Sequence, residues 1–306
     1  MMKWERLGLV YSAPFDNTWK HSSALTPTPL VLEDRVRVFA GFRDVSGVSR
    51  IGYVDINLQD PTSIIGVSEN PSLDIGQPGM FDDNGVILGD VFFRGEELWM
   101  YYVGFQLVDK VKFLAFTGLA ISTDMGQSFS RLRQTPVLDR RPEAAFFNAI
   151  HSVKLIGDSL HVWVGAGSSF IDVDGRSFPS YTVKHLISTD GISFSQIEDE
   201  CITFQHPSEY RIGRPRVYQN KDGYTMQFTC GDIQGGYRMG SATSLDGLRW
   251  VRDDRDIDLF PTGNQSDWDG RHLCYGATFF AGNNEYMVYN GNDMGLCGFG
   301  IAVRKH

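Results

Sequence analysis

The chain has 306 residues, 42% hydrophobic and 13% aromatic, with 33 glycines and only 21% charged side chains; this composition excludes a disordered chain and leans towards a turn-rich, strand-built protein. A net charge of -9 without long like-charge blocks excludes the clustered Lys and Arg of a nucleic-acid-binding face. No window reaches the roughly 18 apolar residues of a membrane span, and MMKWERLGLVYSAPFDNTW lacks the apolar core of a secretory signal, so a cytoplasmic location is expected.

In chain order, the first strand signal is WERLGLVYSA. Five segments then share one pattern of turn, alternating apolar strand and glycine: EDRVRVFAG ending at Gly41, GEELWMYYVG at Gly104, GDSLHVWVG at Gly165, KDGYTMQFTCG at Gly231 and GNNEYMVYNG at Gly291. The glycines recur every 60 to 66 residues, the signature of a repeated structural unit. Each segment follows a short strand and a tight turn, as in HSVKLIGDSLHVWVG, which is a hairpin signal. Another strand comes after it, as in FTGLAIST, YTVKHLIST, YRMGSATS and GFGIAV.

Three of those strands run into related turns: STDMGQSF from Ser122, STDGISF from Ser188 and SLDGLRW from Ser244. Ser and Asp side chains there bond backbone groups of their own turn, Gly takes the left-handed position, and the aromatic residue anchors the hairpin between sheets. The motif marks architecture, not chemistry. The repeating unit is therefore a meander of about four strands in about 60 residues. We expect an all-β fold: a five-bladed β-propeller of four-stranded antiparallel blades, forming a single domain over 1–306, with the ring closed by the N-terminal strand. Radial repetition of this kind protects sheet edges.

The four cysteines, Cys201, Cys230, Cys274 and Cys297, are far apart and form no CxxC, so free thiols are expected and neither a zinc ribbon nor a redox pair is indicated. GxxxxGK[ST], HExxH and GxSxG are all missing from the sequence, and no metal or cofactor is called for.

Several stretches, in order and in register, resemble the five-bladed propeller glycosidase clan, the glycoside hydrolase family 43, 32 and 130-like proteins. They are PGMFDDNGV (Pro78 to Val86), the S-x-D-G-x-x-aromatic hairpin, EYRIGRP (Glu209 to Pro215) leading to YRMGSATSLDGLRW, and SDWDGRHLCY followed by YNGNDMGLCGFG. The resemblance implies a glycan or sugar-derivative substrate and glycoside hydrolysis. It also leaves open phosphate-dependent phosphorolysis, glycosyl transfer in polysaccharide assembly, or glycan binding without catalysis. Two departures matter: Thr26 and Thr28 stand where family 43 places an Asp, and Gly213-Arg214-Pro215 stands where a Glu-Gly-Pro-like sequence is usual.

In a propeller, residues at the head of each innermost strand converge on one mouth of the channel. The candidates there are His21, Asp82, Asp83 and Asp90, Glu143 and His151, Glu209, Arg211 and Arg214, then Asp267, Asp269, His272 and Tyr275. Glycoside cleavage needs one protonated and one ionised carboxyl. Asp83 is assigned as base or nucleophile and Glu143 as acid, with Glu209 as the substitute acid. His21, Asp82, His151, Arg211, Arg214, Asp269 and Tyr275 are assigned to substrate binding, the arginines and His21 suiting phosphate or an acidic sugar. Plainer roles stand beside these: DDNG as a turn, Glu143 as a solvated loop residue, Glu209 and Asp269 as partners of Arg211, Arg214 or Arg271, and His151 as an interior histidine. Trp19, Phe81, Tyr210, Trp268 and Tyr275 are candidate sugar-stacking rings.

Overall fold

The computed structural model describes residues 3–195, 200–234 and 236–305. An edge strand, β1 (Glu5–Ser12), precedes a series of antiparallel meanders. The first is β2 (Ser22–Val31), β3 (Arg35–Arg43), β4 (Ser49–Asn57) and β5 (Ile64–Val67). The second is β6 (Val86–Arg94), β7 (Glu97–Gln106), β8 (Leu114–Ser122) and β9 (Ser130–Arg131). The third is β10 (Phe147–Ile156), β11 (Ser159–Val173), β12 (Arg176–Ser188) and β13 (Glu200–Ile202). The fourth is β14 (Glu209–Asn220), β15 (Gly223–Asp232), β16 (Tyr237–Ser244) and β17 (Val251–Arg252). Last come β18 (Cys274–Ala281), β19 (Asn284–Asn290) and β20 (Gly298–Lys305), against which β1 pairs antiparallel as the fourth strand. The strand near the N-terminus thus completes the sheet at the other end of the chain.

The fold is all-β. Single parallel pairs, Phe147 with Ala115 and Tyr181 with Arg211, join the second, third and fourth meanders into one twelve-stranded sheet, and no sheet closes on itself among the described residues. The leading strands nevertheless adjoin in cyclic order: β2 with β6, β6 with β10, β10 with β14, β14 with β18, and β18 with β2.

Alternation along each strand feeds the packing between neighbours. Val36, Val38, Ala40 and Phe42 of β3 pack with Ala277, Val288 and Ile301 of the last meander, while Phe39, on the opposite face, packs with Leu88, Met100 and Phe129 of the second. A strand buried on both faces has side chains for two different cores because its period is two residues.

The Ser-x-Asp-Gly turns do what their chemistry dictates. Gly191 N–H donates to Ser188 Oγ at 2.8 Å, and Ile192 and Ser193 N–H both donate to Asp190 Oδ1 at 2.7 Å. The turns at Ser122 and Ser244 repeat the bond, from Gly126 at 2.8 Å and Gly247 at 2.9 Å. The aromatic residue then packs on the second strand of the preceding meander: Phe129 on Phe39, Phe194 on Tyr101 and Trp250 on Trp163, with ring centroids 5.8, 6.2 and 6.3 Å apart. Gly191 has φ +77°, and a Cβ there would lie 2.9 Å from Trp99 and 3.0 Å from the Tyr101 hydroxyl, so both conformation and space require glycine. All four cysteines are free thiols.

Every leading strand slips register at the same place. The slips fall between Leu25 and Thr28, Leu88 and Asp90, Ile150 and Ser152, Gly213 and Arg216, and Cys274 and Ala277. Such bulges re-aim a side chain out of the pleat. Thr26, Arg214 and Tyr275 sit at three of them with left-handed backbones, φ 52°, 55° and 60°. Bulky or β-branched residues seldom adopt that conformation, and its cost concentrates where function or a tight network demands it.

Candidate functional site

Four of the five bulges each place a residue, Thr26, His151, Arg214 and Tyr275, on the wall of one cavity of about 560 Å³. Aromatic side chains make much of the rest of the wall: Phe105, Phe113, Phe147, Phe178, Tyr181 and Tyr237. Phe147 and Tyr181 stack with centroids 3.9 Å apart. Arg43, Lys112 and Arg211 add positive charge, and no Asp or Glu is among the described lining residues. A more open hollow of about 450 Å³, beside Ile75, Met80 and Arg131, lies away from the bulges.

Arg214 forms the tied-down part of this wall. Its Nη1 donates to the carbonyls of Leu88 and Gly89, both at 2.6 Å, and its Nη2 donates to the carbonyl of Thr26 at 3.0 Å and to the Thr28 hydroxyl. One guanidinium thus binds three meanders, with its charge facing carbonyl dipoles instead of a carboxylate. Burial and the neighbouring Arg216 pull its pKa down to about 9, which leaves it protonated at neutral pH. Burial, Arg214 and Arg216 hold His151 well below the ordinary histidine range, so this ring is neutral. The phenols of Tyr181, Tyr237 and Tyr275 are raised by burial and stay protonated, available as donors.

Arg211 is placed differently. Its guanidinium lies 4.6 Å from the Tyr210 ring centroid, 4.7 Å from that of Tyr237 and 5.8 Å from that of Phe178, and its buried Nε has no hydrogen-bond partner. The Oγ1 of Thr26 and the Nε of Arg214 are likewise buried without a partner. These three atoms leave hydrogen-bonding capacity on the cavity wall.

The structure does not bring the assigned carboxylates to this cavity. Asp83 adjoins its wall: it accepts from Gly79 N–H at 2.8 Å and from the side chain of Asn84, and Asn84 is a lining residue. Glu143 is held by Arg141 Nε at 2.8 Å. Glu209 is buried beneath Arg252, at 2.7 Å, and Arg238, and accepts from Gln205 N–H at 2.9 Å. Burial alone would raise its pKa, but these donors outweigh burial and draw it down to about 2. A carboxyl held there is ionised at working pH and cannot serve as an acid.

Other assigned residues are also engaged in the scaffold. Asp82 is buried against Arg131 at 2.8 Å, Asp269 accepts from Arg6 at 2.9 Å and from the Tyr289 hydroxyl at 3.0 Å, and Asp90 pairs with Arg216 at 2.6 Å. His21 contacts the carbonyl of Asp16 and packs edge-on against Phe15, outside the cavity wall. Of the residues assigned to binding, His151, Arg211, Arg214 and Tyr275 line the cavity. Of the candidate stacking rings, only Tyr275 does; Trp19 packs on Phe42, Phe81 on Tyr102 and Trp268 on Tyr289.

Glu209, Cys230 and Asp254 cluster closely enough to suggest a metal site. Arg252 Nη2 fills its centre, donating to all three at 2.7, 3.2 and 2.7 Å. The charge of that guanidinium explains why the group can be buried.

Arg43, Lys112, Phe178, Tyr181 and Tyr237 have no counterpart among the strand heads where sequence places candidates. Arg43 ends β3, Tyr237 begins β16, and Phe178 and Tyr181 belong to the long β11–β12 hairpin. One signal was available: Arg43 stands two residues after the repeat glycine Gly41 and Phe105 one residue after Gly104, where second strands end.

No family model matches the chain. It is 29% identical over 308 residues to the uncharacterized protein Rv1502 of Mycobacterium tuberculosis (strain ATCC 25618 / H37Rv), with 100% of each chain covered. Among solved structures it is similar to one described as a glycoside hydrolase, with a TM-score of 0.75 and 15% identity over 100% of this chain and 93% of that one. It is also similar to a structure from work on "the GH130 family of mannoside phosphorylases", with a TM-score of 0.67 and 14% identity over 100% of this chain and 94% of that one. At such identities the likeness concerns the fold. The resemblance to the five-bladed propeller glycosidase clan, first carried by short motifs, is thus carried by the tertiary structure as well.

Proposed function

We propose that the chain is a five-bladed β-propeller whose blades are the five meanders, with the ring closed through β1, and that it is a carbohydrate-active protein holding a sugar or sugar derivative in the central cavity. The cyclic contacts of the leading strands support the architecture. The cavity itself carries the functional reading: rings for stacking sugar C–H faces stand beside phenols, threonines and three buried polar atoms that lack partners.

Glycan binding without paired-carboxylate chemistry is the form of this reading that the geometry supports best. Hydrolysis needs two carboxyl groups flanking the bond, about 5 to 5.5 Å apart for retention or about 6.5 to 9.5 Å for inversion. The described lining residues offer none. Hydrolysis through Asp83, with Glu143 as acid, is the second reading, favoured by the contact of Asp83 with the lining residue Asn84.

Titration calorimetry against a panel of monosaccharides and oligosaccharides, together with assays of sugar release with and without inorganic phosphate, tests the proposal. Binding with no release, unchanged in Asp83→Asn and Glu143→Gln, is the expected result. Release abolished by either substitution establishes the hydrolase instead. Release that requires phosphate establishes a phosphorylase, and no binding by any sugar overturns the assignment to carbohydrates.

A further inference from the structure

We infer that the sugar taken by this cavity carries a negative charge, with its anionic group seated between Arg211 and Arg43; this rests on the sugar-binding reading above. The chain as a whole carries -9, yet the described walls hold four cationic side chains, Arg43, Lys112, Arg211 and Arg214, and no carboxylate. The positive charge is local and built against the overall balance.

Arginines elsewhere in the interior show how this protein ordinarily buries a guanidinium. Arg37, Arg131, Arg216 and Arg252 each lie 2.6 to 2.8 Å from an Asp or Glu. Arg214 is compensated by four oxygens of the backbone and of Thr28. Arg211 and Arg43 form no ion pair among the described residues, although burial is enough to push Arg43 below its ordinary pKa. Leaving a guanidinium half-buried without a counter-charge is costly, and the rings around Arg211 offset only part of that cost.

Space is reserved for Arg211 as well. A Cβ on Gly231 would lie 2.5 Å from its Nε, and a Cβ on Gly213 would lie 2.9 Å from the Tyr181 ring. Arg43 reaches the site from the first meander and Arg211 from the fourth, and both line the cavity together with Tyr237 and Tyr275. Two guanidinium forks beside two phenolic donors match the oxygens of a carboxylate or of a phosphate ester.

Calorimetry of the full chain at low salt tests this with matched probes: glucose, glucuronate and glucose 6-phosphate, the galactose series, and inorganic phosphate alone. The charged member of a series is expected to bind at least about 10-fold more tightly than its neutral parent, with the carboxylate and phosphate arms identifying which anion fits. Arg211→Gln and Arg43→Gln should each shrink that preference, and Arg211→Lys should restore part of it, with thermal melts checking that each variant is folded. Equal affinity for neutral and charged members overturns the inference and leaves sugar binding standing. Binding of inorganic phosphate with no preference among the sugars overturns it too. Failure of every sugar to bind removes both readings.

Discussion

The Nη1 atom of Arg214 lies 2.6 Å from the carbonyl oxygen of Gly89, a residue 125 positions earlier in the chain. The same guanidinium also holds the carbonyls of Leu88 and Thr26. The most buried cation of the cavity wall is therefore a fastening among β2, β6 and β14. Arg214→Met strands these carbonyls in an interior that water does not easily reach, and we expect a loss of about 2 to 4 kcal/mol. Urea denaturation reads this as a lower midpoint. A variant as stable as the parent would show instead that Arg214 serves the ligand alone.

Asp90 on β6 and Arg216 on β14 make a second fastening, at 2.6 Å, with Asp90 also accepting from Val153 N–H at 2.8 Å. Removing one partner leaves a buried charge uncompensated, at a cost of about 3 to 5 kcal/mol. Asp90→Ala should fall in that range. Asp90→Ala combined with Arg216→Met should recover part of the loss, and equilibrium unfolding of both variants measures the coupling.

Glu209 gives a dependence on pH. Its folded pKa of about 2 lies below the ordinary 4.5, so the stability it contributes is fully present above pH 4.5 and is lost as pH falls through about 2. The contribution is at most about 3 kcal/mol. Glu209→Gln should lower stability at pH 7 and flatten the acid loss between pH 4.5 and 2. Denaturation midpoints at several pH values compare the two; an equally steep acid loss in the variant would assign that loss to other carboxylates.

Gly231→Ala probes the space reserved for Arg211. The new methyl, 2.5 Å from Arg211 Nε, forces the guanidinium to move. We expect affinity for a charged sugar to fall roughly 10-fold, with the melting temperature little changed because a flexible side chain yields. Unaltered affinity would mean that the present position of Arg211 is not the one that meets the ligand.

Local chemistry wrote much of this protein into its sequence. The 60-to-66-residue recurrence of Gly41, Gly104, Gly165, Gly231 and Gly291 dictates repeated meanders, and the three turns that start at Ser122, Ser188 and Ser244 dictate how the second, third and fourth meanders lock onto the one before. Those features act within one hairpin or between sequence neighbours, so a linear reading reaches them. His151, Arg211, Arg214 and Tyr275 were also within reach, because they head or interrupt the leading strands. Which acids were free to act was not. A carboxylate's role depends on the arginine opposite it, and Asp90 meets Arg216 126 residues away, Asp82 meets Arg131 49 residues away and Asp269 meets Arg6 263 residues away. Only the tertiary structure decides those pairings. It matches carboxylates to interior arginines and leaves Arg43 and Arg211 without ion pairs among the described residues, the asymmetry on which the proposed anion site rests.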